Sequence, residues 1–536
     1  MNNFFKIYKR PIVIALIQWF VTTVLQIDRL FFSYDAETVY MVGTKVMYLF
    51  FLLISWCFGF NALKKIKSKD GFYSRAFYIF KVYLTIILIF LLILWPGIWS
   101  WDDLWTLDSI AGYESWYPWQ HAFTGIYQNV LLQILPFPGG IIFLQNVIVG
   151  LCVAFSVTKL EEAYNLKHLK YKIIDTAVKL LPFLLPPVLS YQFSGYRIGL
   201  YVYLELVMLV ILITAVKDRK EWSISYLLLF CSLCIVVASW RTESFFYVPC
   251  ACLLILAVNE KIIPYIKKGI CLFIIVVGFF CVNKFQSYQL GNSNYAVISL
   301  MRPCVVLVHA ANQEVDAKEL AAIDRVTSLK TIYDNPSYDG EEIYWSTDAV
   351  RNAYSVDDYS NFLEAIVKLS IKYPKVVLAE RWNLFVNGSG MTGKTGTNIV
   401  VAERLFEENN GNTAAIATLG RGWIVNRPVF KNFRAKFIHS MGMTDRVIIQ
   451  RVVWNSMIPL TVLILAWLKL LRKKSWYLLG ICTAVLIRVP VVVLTQPSGL
   501  IMYVLSFYFL GYVYLIFEIL IEFSEHRKIK EIEIDG

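Results

Sequence analysis

Apolar residues run along this chain in blocks of about twenty, separated by short polar stretches, and strand-like alternation is nowhere sustained. A helix needs roughly 20 mainly apolar residues to cross about 30 Å of hydrocarbon. Twelve blocks reach or approach that length, at about 11–30, 40–60, 77–97, 138–158, 173–193, 198–216, 222–239, 244–258, 269–285, 452–470, 476–495 and 499–520. The first follows Lys6, Lys9 and Arg10 without a small-residue cleavage site, so it reads as a retained span. Two polar regions interrupt the blocks: a loop at about 98–137 and a long segment at about 286–451. This divides the chain into an N-terminal membrane region (1–285), a polar domain (286–451) and a C-terminal membrane region with a short tail (452–536).

Composition agrees with that pattern. Of 536 residues, 57% are apolar and only 17% charged, which excludes an ordinary soluble globular enzyme. The net charge of +12 would suggest nucleic acid on a soluble protein, but in a multispanning chain it reflects Lys and Arg in cytoplasmic loops. With the N-terminus inside, the inside segments hold 24 Lys and Arg against three in the short outside loops, Arg29, Arg197 and Arg241. That bias places both termini in the cytoplasm, with 98–137 and 286–451 on the outer face. Counting His121–Leu135 as a span would invert the later loops, so it reads as a helix in the outer interface. Within 286–451, Asp316 and Glu319 suggest a capping box, and a helix is expected from Tyr359 to Tyr373, ended by Pro374. The expectation is an all-α polytopic protein of about twelve spans with a mainly helical extracytoplasmic domain.

The chemistry concentrates in the first outer loop. It reads Trp95-Pro-Gly-Ile-Trp-Ser-Trp-Asp102-Asp103-Leu-Trp105 and continues through Asp108, Glu114, Trp116, Trp119 and His121. Carboxylates beside tryptophans at headgroup depth can meet a lipid-linked phosphate, a sugar hydroxyl or a divalent cation. Adjacent helical side chains diverge by about 100°, so Asp102 and Asp103 are expected to divide the work, one as base or metal ligand and the other orienting it. The plainer alternative is a helix cap with interfacial anchors.

An acidic pair in the first sizeable outer loop, directly after a span and before an interfacial helix, resembles the GT-C superfamily of membrane glycosyltransferases. The WPGIWSWDDLW, WQHAFTGIY and RVPVVVLTQPSGLIMY runs are similar to a bacterial branch related to its mannosyltransferase-like members. The resemblance implies a GT-C-like fold, a polyprenyl-phosphate sugar donor in the cell membrane, and a catalytic or metal-binding role for Asp102 and Asp103. Here the pair follows the third span, whereas in the usual pattern it follows the first. Independently, nucleotide sugars are cytosolic and no cytoplasmic segment is long enough for a nucleotide-binding domain. A sugar donor must therefore arrive by the lipid, and no nucleotide is expected.

Such a site needs cations for a leaving phosphate. Arg197, Arg241, Arg302 and Arg488 are the candidates for binding substrate, with Glu243 beside Arg241 and His121 as a general acid or phosphate donor. Arg488, like Glu205, falls within a span and could instead be a paired structural ion. Mg²⁺ or Mn²⁺ on Asp102 and Asp103 is the candidate cofactor, and a glycan, lipid or protein is the acceptor.

Three motifs carry less. Gly388–Thr395 fits GxxxxGK[ST], but Glu380–Val386 before it looks helical and the loop lies outside, away from ATP. Asn387-Gly-Ser389 is a glycosylation sequon, without meaning in a bacterium. Cys231 and Cys234 form CxxC without His or a second pair, so they read as small apolar helix residues. Two other functions stay open: a polymerase or ligase of lipid-linked repeats, and a transporter using Lys179, Glu205 and Arg488.

Overall fold

The computed structural model describes residues 2–31, 37–113, 120–166, 171–217, 221–290, 294–393, 427–443 and 446–535. Glu114 and Trp116–Trp119 of the acidic loop, Lys394 and Thr395 of the glycine-rich run, and Lys167, Lys170, Arg219 and Lys220 of the inside loops lie outside them. Among the described residues the regular structure is helical. The N-terminal region contains α1 (Asn2–Val24), α2 (Thr38–Lys67), α3 (Gly71–Leu94), α4 (Trp101–Ala111), α5 (Ala122–Ile134), α6 (Pro138–Tyr164), α7 (Lys172–Leu180), α8 (Pro186–Gln192), α9 (Ile198–Ala215), α10 (Ile224–Trp240), α11 (Tyr247–Ala257) and α12 (Tyr265–Leu290). The polar segment supplies α13 (Ile298–Ala310), α14 (Ala317–Val326), α15 (Leu329–Asp334), α16 (Gly340–Ser346), α17 (Val356–Lys372), α18 (Pro374–Gly388) and α19 (Lys431–Gly442). Then follow α20 (Val447–Val453), α21 (Met457–Arg472), α22 (Trp476–Thr495) and α23 (Leu505–Asp535).

Eight of the twelve expected spans fall on helices long and apolar enough to cross a membrane: α2, α3, α6, α9, α12, α20–α21, α22 and α23. The chain is thus a multi-pass, all-α membrane protein. The stretch expected as one span at 173–193 is α7 and α8, bent by 70°. Pro182, Pro186 and Pro187 sit at that break, where a missing N–H and a clashing ring end the first helix and start the second. The stretches expected at 222–239 and 244–258 are shorter apolar helices, Ile224–Trp240 and Thr242–Ala257.

One apolar core runs through α3, α6, α8 to α11, α22 and α23, and includes Ile87, Val149, Tyr203, Met208, Val492 and Phe509. A second, separate core lies in the polar segment, with Met301, Leu307, Ile323, Ile343, Phe362 and Leu369. The helix start at Asp316 is present without the expected capping box. The Asp316 carboxylate instead accepts from the Asn312 N–H (2.9 Å), the Tyr373 hydroxyl (2.7 Å) and Lys372. The expected 359–373 helix begins earlier, at Val356, where Ser355 and Asp358 form a capping box. Pro374 ends it and also opens α18, at the N-terminal position where proline is tolerated. Glu380–Val386 is helical, as the sequence indicates.

Candidate functional site

The acidic pair occupies the first turn of α4, where the helix dipole favours negative charge. Ser100 is the N-cap residue, yet its hydroxyl donates to the Asp103 carboxylate (3.4 Å), not accepting from a backbone N–H. The two aspartates have different surroundings: Asp103 is buried and Asp102 only partly so. Trp99 is fully buried, so it belongs to the protein core and not to a belt of interfacial tryptophans.

A tight backbone approach places α4. The Trp95–Pro96 peptide is cis and Gly97 has φ +111°, a conformation that side chains disfavour. Ile98 N–H then donates to Phe193 O (2.8 Å), joining this turn to the segment after α8. Gly195 lies against the Trp99 ring and Asp103, so near that an added Cβ would stand 2.5 Å from the ring and 3.1 Å from Asp103 Cβ. From α5 and α6, Gln128 donates to Gly195 O (3.0 Å) and Gln145 to Gln192 O (2.9 Å) and Ser194 O (3.2 Å). Arg434 of α19, buried, donates to Leu94 O (3.1 Å) and Gly97 O (2.5 Å).

These contacts bring Arg197, at the head of α9, into the electrostatic field of Asp102 and also of His121 and Glu243. Burial pushes the Asp102 carboxyl up to about 6, with Arg197 opposing the shift. Burial also lowers His121 to about 3, reinforced by Arg197, so its ring is neutral at physiological pH. Its Nδ1 accepts from Phe123 N–H (3.2 Å), which leaves the proton on Nε2. Among the described residues that buried Nε2–H has no hydrogen-bond partner, and neither does the Gln120 Oε1 beside it in sequence. His121 is therefore equipped as a neutral hydrogen-bond donor, not as the general acid expected among its roles. Tyr196, next to Arg197, is raised well above its ordinary value, first by burial and then by Asp102 and Asp103.

Three further cations adjoin this centre. Arg241 pairs with Glu243 and stands over the Tyr503 ring, 5.3 Å from its centroid. Arg488 pairs with Glu205 (3.0 Å) and donates to Tyr201 (2.5 Å) and Ser244, while Tyr247 (2.5 Å) and Ser506 also donate to Glu205. That pair, 1% and 0% exposed, is an almost saturated internal ion pair, with only Arg488 Nε lacking a partner among the described residues. Arg302 of α13 reaches back from the polar segment: it donates to Pro497 O (2.7 Å) and bridges Asp339 (2.9 Å) and Glu341 (2.8 Å). The Glu341 carboxyl is raised chiefly by burial, against Arg302, with Asp339 and Asp102 adding to the rise. Arg302 also lines a groove of about 320 Å³ with Val306, Glu380, Asn383, Leu384 and Asn387.

The eight candidate site residues are thus linked by electrostatic influence: Arg197 acts on Asp102, Glu243 and the neutral His121, Arg241 and Arg488 act on Glu243, Asp103 joins Asp102 in acting on Tyr196, and Arg302 meets the field of Asp102 at Glu341. Lys179 does not join them, because it closes a separate network with Glu161 (2.7 Å) and Asp175 (2.8 Å). Tyr196, Gln128 and Gln145 had no sequence signal beyond being polar residues in or beside apolar runs, and Arg434 none beyond being one of many cations in the polar segment. Among the described residues no three His, Cys, Asp or Glu converge as a metal-ligand group. Comparison with protein-family models, with curated proteins and with solved structures finds no match to this chain.

Proposed function

We propose that this chain is a GT-C-like membrane glycosyltransferase that moves a sugar from a polyprenyl-phosphate carrier to an acceptor at the outer face of a bacterial cell membrane. In this reading it has twelve crossings, with both termini in the cytoplasm. The observation that carries the proposal is Asp102 in the electrostatic field of Arg197: a carboxyl that burial pushes up to about 6 and a cation opposes, on the helix that directly follows a span. A base is most effective when its pKa lies near the working pH, and a guanidinium suits a departing phosphate.

Asp102 takes the proton from the acceptor hydroxyl as that oxygen bonds to the anomeric carbon. The bond from that carbon to the phosphate oxygen breaks, and its electron pair leaves with the carrier phosphate. Arg197 and Arg241 balance the phosphate charge, and His121 Nε2–H donates a hydrogen bond to it. Asp103, held by Ser100, orients the first turn of α4. Arg488 supports Tyr201 and Ser244 beneath the site. A divalent cation would find one or two carboxylates here and would need its other ligands from the substrate phosphate, a pattern common for Mg²⁺. The steps above rely on the protein's own groups alone.

Reconstitution with a polyprenyl-phosphate sugar and mass spectrometry of the lipid and glycan products tests this reading. Transfer that requires Asp102 supports it; a single added sugar or a block of repeats separates a transferase from a polymerase or ligase. Solute flux that survives loss of both aspartates would favour a transporter instead.

A further inference from the structure

Helix α18 lies against the end of α22 and the head of α21. Midway along it, Arg381 donates to Gln496 O (2.9 Å) and Leu494 O (3.4 Å), where α22 finishes. At its end, Gly388 packs against Gly499 and Leu500, and Ser389 O accepts from Ser456 N–H (2.8 Å) at the head of α21. The helix is thereby held at the end of α22, where that span leaves the hydrocarbon.

Its surface is divided lengthwise. Arg381, Leu384, Phe385 and Gly388 face the protein. Glu380, Asn383 and Asn387 line the groove shared with Arg302 on one flank. Lys375, Leu378 and Trp382, spaced i, i+3 and i+7, share the opposite flank. Leu378 is 60% exposed and Trp382 53%. Leu494, whose carbonyl accepts from Arg381, is also 60% exposed on a helix long and apolar enough to cross a membrane, so exposed apolar side chains occur on both helices near this anchor.

We propose that α18 is a membrane-surface helix that seats the polar domain on the adjoining leaflet, with Leu378 and Trp382 among the first acyl-chain carbons below the headgroups and Lys375 on anionic headgroups. An amphipathic ring is stable at that depth, and an ammonium gains from an anionic surface. The opposite flank then faces water, which keeps the Arg302 groove open to a soluble or surface-bound molecule. The seat does not depend on the proposed reaction, and which leaflet receives it follows from the topology.

The test uses the full chain in vesicles of phosphatidylethanolamine and phosphatidylglycerol. Single nitroxide labels are placed at positions 378, 382 and 383, with Leu465, 59% exposed on span α21, as the lipid reference. The exposed and half-exposed cysteines Cys57, Cys250, Cys252, Cys281 and Cys482 are replaced beforehand. Collision with dissolved oxygen against a water-soluble nickel chelate reports depth. The expected oxygen-to-nickel ratio at 378 and 382 lies below that at mid-span 465 and several-fold above that at 383. A ratio at 378 and 382 equal to that at 383 overturns the seat. So does shielding from both reagents, which would mean that protein covers this flank.

Discussion

At the residue scale, Asp102 and His121 define what the centre can do with protons. Asp102 acts as base only when ionised, and its carboxyl titrates at about 6. Transfer should therefore rise with pH through about 6 and level off above it. A pH–rate profile with no acidic limb near that value would count against the assignment. Asp102→Asn should lower the rate by about 10²-fold or more, the range ascribed to general base catalysis, while leaving membrane expression unchanged. His121, already neutral, should add no second limb between pH 5 and 8. His121→Gln keeps a donor and should cost less rate than His121→Phe; equal losses would show that the Nε2–H is not used. The sequence made these residues legible because carboxylates, Arg and His are rare in so apolar a chain. It could not show the raised Asp102 or the lowered His121, since both shifts come chiefly from burial and, with it, from Arg197, which lies 95 and 76 residues further along the chain.

At the element scale, the site depends on the bend between α7 and α8 and the turn after it. Gly195 sits where Trp99 and Asp103 leave no room for a Cβ. Gly195→Ala should cost about 1–3 kcal/mol through overpacking and shift α4, lowering both the thermal midpoint in detergent and the rate. Unchanged values of both would mean that the turn does not position the acids. Most long helices were legible because a lipid-embedded segment must satisfy its backbone internally and presents apolar residues throughout, a signal that needs no partner. The 70° break was not, although Pro182, Pro186 and Pro187 mark the place. An apolar run does not reveal whether it continues straight. Asp316 closes no capping box for a related reason: Lys372 and Tyr373, far along the chain, claim its carboxylate.

At the scale of the whole molecule, the pair Glu205–Arg488 ties α9 to α22 across the apolar core. Removing one member strands a buried charge, so Arg488→Leu should cost about 3–5 kcal/mol. Adding Glu205→Leu should recover part of that loss, as followed by thermal aggregation in detergent. A single variant as stable as the parent would mean that the pair is hydrated and not internal. Orientation belongs to this scale too. Asp108→Cys should react with an impermeant maleimide in intact cells, whereas Lys261→Cys should react only after permeabilisation.

The most direct measurement is sugar transfer by the purified chain in liposomes carrying a polyprenyl-phosphate sugar, compared among the parent, Asp102→Asn and the Asp102→Asn/Asp103→Asn pair. The account predicts labelled product with the parent and loss of it in both variants, at equal protein and unchanged thermal midpoint. Full transfer by the double variant would contradict the role given to the acids of α4.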